Sequence, residues 1–314
     1  MNQSISGLHA SPHSWVAGVI MLGACLAPDL VQAADRPAPN EMPPPAKAET
    51  SELFGMALGA RIQSDYIFRG ISQSNQEPSL QTYWEMQLFD NFLYAGFATY
   101  KTDLPTRPTM EQDLTAGIRP KFGPLQFDLG VIFYNYPHER RLFGPDEAIL
   151  TPANTDFLEF AGKVSYTYQD ALTFGANVFH ARNWLGTHAS GTYASLTAKY
   201  SLPEGFLGGL PSGFALSGEL GHYWLGTTSP QLGSVRLPDY MYWNAGLSYT
   251  WKNFTLDLRY HDTNLSRSDC FTLTTDPEGV FTGSGRSNWC GAAFVATAAF
   301  DLTTKDPGIF APSR

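Results

Sequence analysis

The chain has 314 residues, of which 43% are hydrophobic, 14% aromatic and only 16% charged. Soluble domains carry roughly 25% charged residues, so the low charge and the high aromatic content are unusual for that class. The formal net charge of −9 excludes a broad nucleic-acid interface, because such an interface needs a basic surface that displaces counterions.

The first residues, 1–33, have the pattern of a secretory signal peptide. An apolar run at 15–27 is too short to span a bilayer, and the small residues that end at Ala33 fit the rule for cleavage there. No Lys or Arg precedes the run, so an uncleaved N-terminus stays as an alternative. The LGAC sequence that ends at Cys25 leaves lipoprotein processing as a further alternative, although the missing basic start and the site at Ala33 disfavour it. A Pro- and Ala-rich segment at 34–52 has no periodicity, which predicts an extended periplasmic linker.

From Leu53 onward the dominant pattern is the alternation of apolar and polar residues. For example, Leu129 directly follows Asp128, and Leu256 directly precedes Asp257. Alternation over about eight or more residues predicts a strand with one apolar and one polar face. Twelve such runs are recognised, at 54–68, 79–89, 92–101, 111–122, 125–136, 155–169, 171–182, 190–201, 213–225, 239–251, 253–264 and 289–302.

The connections between the runs alternate in length. Tight turns such as Asp90-Asn91 follow the second, fourth, sixth and tenth runs, and a longer Gly/Pro segment at 202–212 follows the eighth. Long polar segments follow the odd-numbered runs. Short connections at one end and long ones at the other, with an even number of strands, are typical of outer-membrane barrels.

These features predict an all-β fold, a transmembrane antiparallel up-and-down β-barrel of about 12 strands over 53–302, followed by a C-terminal tail at 303–314. Short turns are expected in the periplasm and long loops outside the cell. The predicted location is the outer membrane of a Gram-negative bacterium. Outer-membrane lipids, the barrel-assembly machinery and small-molecule solutes are the expected partners, no nucleic acid is expected, and a homo-oligomer is left open.

Aromatic residues cluster at the ends of the runs, which predicts girdles at the two membrane interfaces. Tyr66 and Phe68 are expected to face outward in the loop-side girdle. The residues near the short turns are Phe89, Phe92, Phe122, Phe174, Tyr200, Phe214, Trp251 and Phe254. The residues near the long loops are Tyr66, Phe68, Tyr100, Tyr136, Trp184, Trp224, Tyr240 and Trp289.

The polar face of the runs is expected to line the lumen. Along the first run Arg61, Asp65 and Arg69 lie too far apart to meet one another, so their partners are expected on neighbouring strands, such as Glu85. Seven basic and seven acidic side chains balance, which favours small neutral or zwitterionic solutes. A closed network of salt bridges without a pore stays an alternative. The predicted pore-lining residues are Arg61, Asp65, Arg69, Glu85, Asp113, Arg119, Lys121, Asp128, Glu159, Lys163, Lys199, Glu219, Asp257 and Arg259.

Three cysteines are present. Cys25 is removed with the leader if cleavage follows Ala33, which leaves Cys270 and Cys290. An exported chain meets an oxidising compartment, so a disulfide between these two is predicted. The pair does not predict a metal site, because no second pair or His cluster stands near it.

No catalytic, metal or cofactor site is predicted, and the protein is expected not to be an enzyme. A lipid-modifying outer-membrane enzyme is the competing hypothesis. His180 and His222 fall on the lipid face, but neither has a convincing Ser partner, and no Gly-x-Ser-x-Gly elbow exists. A soluble, secreted barrel is a third hypothesis, although twelve long strands with an inward apolar face would enclose too wide a space to fill.

The segment at 64–78, SDYIFRGISQSNQEP, carries a motif of its own. It resembles the opening motif of the TorF family of porins, in which S-D-Y-x-x-R-G-x-S-Q is followed by a Pro. The segments at 92–100 and 260–290 are similar to later parts of the family, and the resemblance covers about 54–302. It implies an outer-membrane barrel with a channel role. The matching positions are Ser64, Asp65, Tyr66, Arg69, Gly70, Ser72, Gln73 and Pro78.

Overall fold

The computed structural model describes residues 53–304, apart from Leu207 and Leu210. The predicted signal peptide, the Pro-rich linker and most of the tail lie outside the described residues. Twelve antiparallel strands pair with their neighbours in chain order, and the last pairs with the first, so the sheet closes into a barrel. The strands are β1 (Phe54–Gln63), β2 (Ser79–Leu88), β3 (Leu93–Tyr100), β4 (Glu111–Ile118 and Lys121–Phe122), β5 (Leu125–Asn135), β6 (Phe157–Tyr168), β7 (Leu172–Ala181), β8 (Gly191–Ser201), β9 (Phe214–Leu225), β10 (Tyr240–Trp251), β11 (Phe254–Thr263) and β12 (Ala293–Thr303).

The two faces of each strand differ sharply in exposure. On β11, Leu256 and Leu258 are 58% and 57% exposed, whereas Asp257 and Arg259 are 6% and 4% exposed. Apolar side chains therefore cover the outside of the barrel and charged side chains point inward. This inverted arrangement suits a hydrocarbon environment outside the barrel and confirms the transmembrane barrel predicted from the alternation.

Short turns lie at one end of the barrel and long connections at the other. Asp90, Asn91 and Lys252 have positive φ angles in the short turns, as tight hairpins require. Further structure in the long connections consists of the helices α1 (Arg267–Thr274) and α2 (Pro277–Phe281) and the 3-10 turns Trp184–Gly186 and Pro230–Leu232. No helix in the described part of the chain is long and apolar enough to cross a membrane. The predicted disulfide between Cys270 and Cys290 is present, and it ties α1 to the segment before β12.

The first run is shorter than predicted. The alternation favoured a strand up to residue 68, but β1 ends at Gln63 and the chain turns into the barrel. There it forms a small hairpin of two strands, Ile67–Phe68 and Ile71–Ser72, with Arg69 and Gly70 at the tip. Both tip residues have positive φ angles, 47° and 86°. We call residues 64–74 the lumen hairpin.

Only one of the two predicted aromatic girdles is present as proposed. At the short turns Phe89, Phe122, Trp251 and Phe254 are more than half exposed and lie on the outside of the barrel. At the long loops Trp224 is exposed, but its predicted companions are not on the lipid face. They lie on the inward face of their strands or in the loops, where they fill the lumen. The buried aromatic residues at this end are Tyr66, Tyr100, Tyr136, Trp184, Tyr240 and Trp289.

Candidate functional site

The lumen hairpin is held in shape by its own polar side chains. The carboxylate of Asp65 accepts hydrogen bonds from the hydroxyls of Ser72, at 2.6 Å, and Ser74, at 3.0 Å. The hydroxyl of Ser74 also accepts a hydrogen bond from the backbone N–H of Tyr66, at 2.9 Å. These contacts join the two ends of the hairpin, and they explain why Asp and Ser stand at these positions of the motif.

Arg69, at the tip of the hairpin, pairs with Glu159 of β6. Two guanidinium nitrogens donate to the two carboxylate oxygens, both at 2.8 Å, and neither side chain is exposed. Tyr134 donates a further hydrogen bond to Glu159, at 3.0 Å, and Arg69 donates one to the hydroxyl of Tyr223, at 3.1 Å. The pair is therefore dry but well supplied with hydrogen bonds, which a buried ion pair requires.

Aromatic rings surround the guanidinium of Arg69. Its central carbon lies 4.6 Å from the ring centre of Phe179, 4.5 Å from that of Tyr193 and 5.1 Å from that of Tyr223. These distances are in the range of cation–π interactions. The rings belong to β7, β8 and β9, which lie across the barrel from β1. The hairpin therefore reaches across the lumen, and together with these side chains it forms what we call the constriction layer.

A second ionic network lies on the wall formed by β2 to β5. Arg119 donates to both carboxylate oxygens of Glu85, at 2.8 and 3.1 Å, and to Asp128 at 3.1 Å. Tyr94 packs its ring against the same guanidinium and donates to Asp128 at 2.6 Å. Glu85, Tyr94 and Asp128 lie on β2, β3 and β5, and Arg119 lies between the two parts of β4, so this network lines the wall and does not cross the lumen.

A third polar group lies on the wall formed by β9 to β12 and β1. Arg259 donates to Asp257 and to the hydroxyl of Ser217, at 3.1 and 2.7 Å. Arg259 and Asp257, together with Arg61 and His261, line a cavity of about 30 Å³. Such a volume holds one or two water molecules and no larger solute.

The predicted pore-lining residues divide by exposure. Nine are buried, four are partly exposed and one, Lys121, is exposed at the short-turn end. Two pairings differ from the expectation: Glu85 binds Arg119, and Arg69 binds Glu159 across the lumen. The buried set is Arg61, Asp65, Arg69, Glu85, Asp113, Arg119, Glu159, Asp257 and Arg259, and the partly exposed set is Asp128, Lys163, Lys199 and Glu219.

Sequence reasoning missed the aromatic residues that enclose Arg69. Tyr134, Phe179, Tyr193 and Tyr223 are all buried inside the barrel. The signal was available, because Tyr134 is an even number of residues from the inward Asp128 and therefore shares its face.

The histidines of the outer face do not form a catalytic pair with a serine. His180 contacts the hydroxyl of Thr192 at 2.9 Å, and the ring of His222 lies 4.4 Å from that of Trp224. Within residues 53–304, as far as they are described, no three His, Cys, Asp or Glu side chains are grouped so that they could hold a metal ion.

Several solved structures are similar to this chain. The NanC porin is 12% identical, with a TM-score of 0.46 over 79% of this chain and 100% of that chain. The KdgM porin is 10% identical, with a TM-score of 0.43 over 78% of this chain and 98% of that chain. LpxR from Salmonella typhimurium is 9% identical, with a TM-score of 0.38 over 78% of this chain and 99% of that chain. No curated protein matches the chain.

A family model does match the sequence. It is described as a bacterial protein of unknown function (Gcw_chp) and covers residues 47–289. The matched segment contains the lumen hairpin and the strands β1 to β11. The resemblance to the TorF family stays a prediction, because the matching model has a different name. The chain belongs to the Gcw_chp family of bacterial proteins.

Proposed function

We propose that this protein is a porin-like channel of the Gram-negative outer membrane, which passes small neutral or zwitterionic solutes by passive diffusion. The observation that carries the proposal is the inverted face pattern, with apolar side chains outside and charged side chains inside the barrel. The predicted lining has seven charges of each sign, and the structure adds the buried Glu111 beside Tyr66, so the proposed lumen is mixed in sign and has no strong preference for cations or anions. The TorF resemblance supports the same role.

The constriction layer limits this passage. The lumen hairpin reaches across the lumen and the Arg69–Glu159 pair holds it there, so the proposal expects it to narrow the path of a solute while the pair is closed. The proposal accordingly expects small and intermittent conductance.

A closed barrel without a pore is the second candidate. The zero exposure of Arg69 and Glu159 favours it, because the side chains that meet across the lumen leave no accessible surface on this pair. No enzymatic activity is part of either proposal. His222 lies beside Trp224, and the hydroxyl that contacts His180 is that of Thr192 and not of a serine.

Single-channel recording in planar bilayers distinguishes the two candidates. The full chain is compared with an Arg69→Ala/Glu159→Gln variant, in which the ion pair is removed without leaving a buried charge. Larger or more frequent steps are expected from this variant. Arg236→Ala is the matched control, because Arg236 pairs with Asp239 at the surface, outside the constriction layer.

Liposome swelling with a panel of sugars and amino acids then defines the solute class. Neutral and zwitterionic solutes are expected to enter faster than anions or cations of the same size. Absence of conductance from both the full chain and the variant would rule out the channel and leave the closed barrel.

A further inference from the structure

A cavity of about 370 Å³ lies on the loop side of the constriction layer. All six long connections contribute to its wall, so it is a partly open cavity among the loops. We call it the loop-side cavity. One residue from each connection in turn is Phe68, Leu104, Ile149, Leu185, Leu232 and Leu273.

The chemistry of the loop-side cavity is opposite to that of the lumen. Within the part of the chain that the structure describes, no Asp, Glu, Lys, Arg or His side chain lines it. Aliphatic and aromatic side chains dominate, and the polar groups are hydroxyls and the amide of Gln73. A charged ligand would lose its hydration here without meeting an opposite charge, which is strongly unfavourable.

Aromatic rings form one wall of the cavity. Trp184, Tyr223 and Tyr240 line it, and the indole of Trp184 stands edge-on to Tyr223, with ring centres 6.1 Å apart. The indole Nε1 of Trp184 is buried and has the hydroxyl of Tyr223 as its neighbour. The two side chains therefore form a continuous aromatic wall against which a flat ligand can pack.

The wall formed by the last long connection is fixed in place. Leu273 belongs to α1, and the disulfide between Cys270 and Cys290 anchors this helix beside the cavity. Both cysteines are buried. A cavity with a fixed wall loses little conformational freedom when a ligand enters, which favours binding.

We propose that the loop-side cavity binds an uncharged small molecule from the external medium, with an aromatic or aliphatic body. The volume lies within the range of about 300–1,000 Å³ that small-molecule sites occupy and is too small for a folded partner. Aromatic walls favour flat apolar ligands through stacking and edge contacts. The inference does not depend on whether solutes cross the lumen.

A pair of fluorescent probes tests the proposal with the full chain in nanodiscs of zwitterionic phospholipid. N-phenyl-1-naphthylamine is uncharged, and 1-anilinonaphthalene-8-sulfonate has the same ring systems with an added sulfonate. After subtraction of the signal from empty nanodiscs, saturable binding of the uncharged probe is expected. The anionic probe is expected to bind at least about tenfold more weakly.

Two cavity variants and one control locate the binding. Ile149→Asp places a charge in the wall and Val235→Trp fills space, at positions 41% and 42% exposed, where the barrel tolerates substitution. Each is expected to weaken binding of the uncharged probe at least about tenfold. Phe281→Asp, 62% exposed and outside the cavity, is expected to change it less than about twofold.

Equal binding of the two probes would overturn the proposal. So would unchanged binding of the uncharged probe in both cavity variants. The two variants act by different means, charge and volume, so a folding defect in one leaves the other as the test.

Discussion

The guanidinium of Arg69 and the carboxylate of Glu159 meet inside the barrel with both contacts at 2.8 Å, although the two residues are 90 positions apart in the chain. Arg69 stands after β1 and Glu159 in β6, so the pair joins opposite walls. A buried pair of this kind gains little net stability over an apolar replacement, because both charges lose their hydration. What it does fix is the position of the lumen hairpin.

Removing one partner of this pair is expected to lower the free energy of unfolding much more than removing both partners. Arg69→Ala leaves Glu159 buried and unpaired, which should lower the free energy of unfolding by about 3–5 kcal/mol. The Arg69→Ala/Glu159→Gln variant should recover most of that loss, since the introduced glutamine carries no charge. Unfolding in urea, followed by tryptophan fluorescence in lipid vesicles, measures the difference.

The surface pair of Arg236 and Asp239 provides the control for this experiment. Arg236→Ala is expected to lower the free energy of unfolding by no more than about 1 kcal/mol, because the pair is exposed. If the double variant proves no more stable than Arg69→Ala alone, the burial of the Arg69–Glu159 pair is not what determines its effect.

The tip of the lumen hairpin requires a glycine. Gly70 has a φ of 86°, and a Cβ added there would overlap Thr263 of β11 and Tyr242 of β10. Gly70→Ala should therefore lower the free energy of unfolding by about 1–2 kcal/mol through the strain of the left-handed conformation. The overlap should lower it further, because the hairpin must move to make room for the added Cβ.

Gly123 separates these two contributions. It also has a positive φ, 59°, but an added Cβ would meet nothing within 4 Å. Gly123→Ala is expected to lower the unfolding free energy by about 1 kcal/mol, through backbone strain alone. Equal losses for the two variants, measured by the same urea unfolding, would mean that the packing around Gly70 is unimportant.

The barrel was predictable from the sequence because membrane strands carry a simple repeat. Hydrocarbon outside and polar groups inside impose a period of two on every strand. This period is visible in the alternating residues Leu256, Asp257, Leu258 and Arg259. Turn length added an independent signal, since the tight turns need residues that accept positive φ angles. All twelve strands consequently lie where alternation placed them, with errors at their ends.

The constriction layer was not predictable in the same way. Tyr66 and Phe68 continue the alternation of β1, so nothing in the local pattern marks the turn into the lumen at Gln63. The turn depends on Asp65 binding the hydroxyls of Ser72 and Ser74, and on a carboxylate far along the chain. Such long-range pairing has no periodic signature, which is why the partner of Arg69 was expected on a neighbouring strand.

The outer face of the barrel should tolerate charge only near its ends. Leu258 is exposed at the middle of β11, where an arginine would stand in the hydrocarbon. Leu258→Arg is expected to lower the free energy of unfolding by about 2–4 kcal/mol, whereas Phe122→Arg, beside a short turn, should cost about 0–1 kcal/mol. Refolding into phospholipid vesicles measures both values. A larger loss at Phe122 than at Leu258 would contradict the membrane position given by the exposed apolar band.

The disulfide between Cys270 and Cys290 should protect the last long connection from local opening. It closes a loop of 20 positions. Such a link reduces the conformational entropy of the unfolded loop and thereby stabilises the folded loop by about 3 kcal/mol. In a Cys270→Ser/Cys290→Ser variant, α1 and α2 are therefore expected to be cleaved much faster by a protease added outside vesicles. Because α1 also forms a wall of the loop-side cavity, binding of the uncharged probe should weaken in the same variant.

The full chain treated with a reducing agent should behave like the variant, and the oxidised chain is the control. An unchanged cleavage rate would show that contacts of Leu273 and Trp289, and not the disulfide, hold this connection in place.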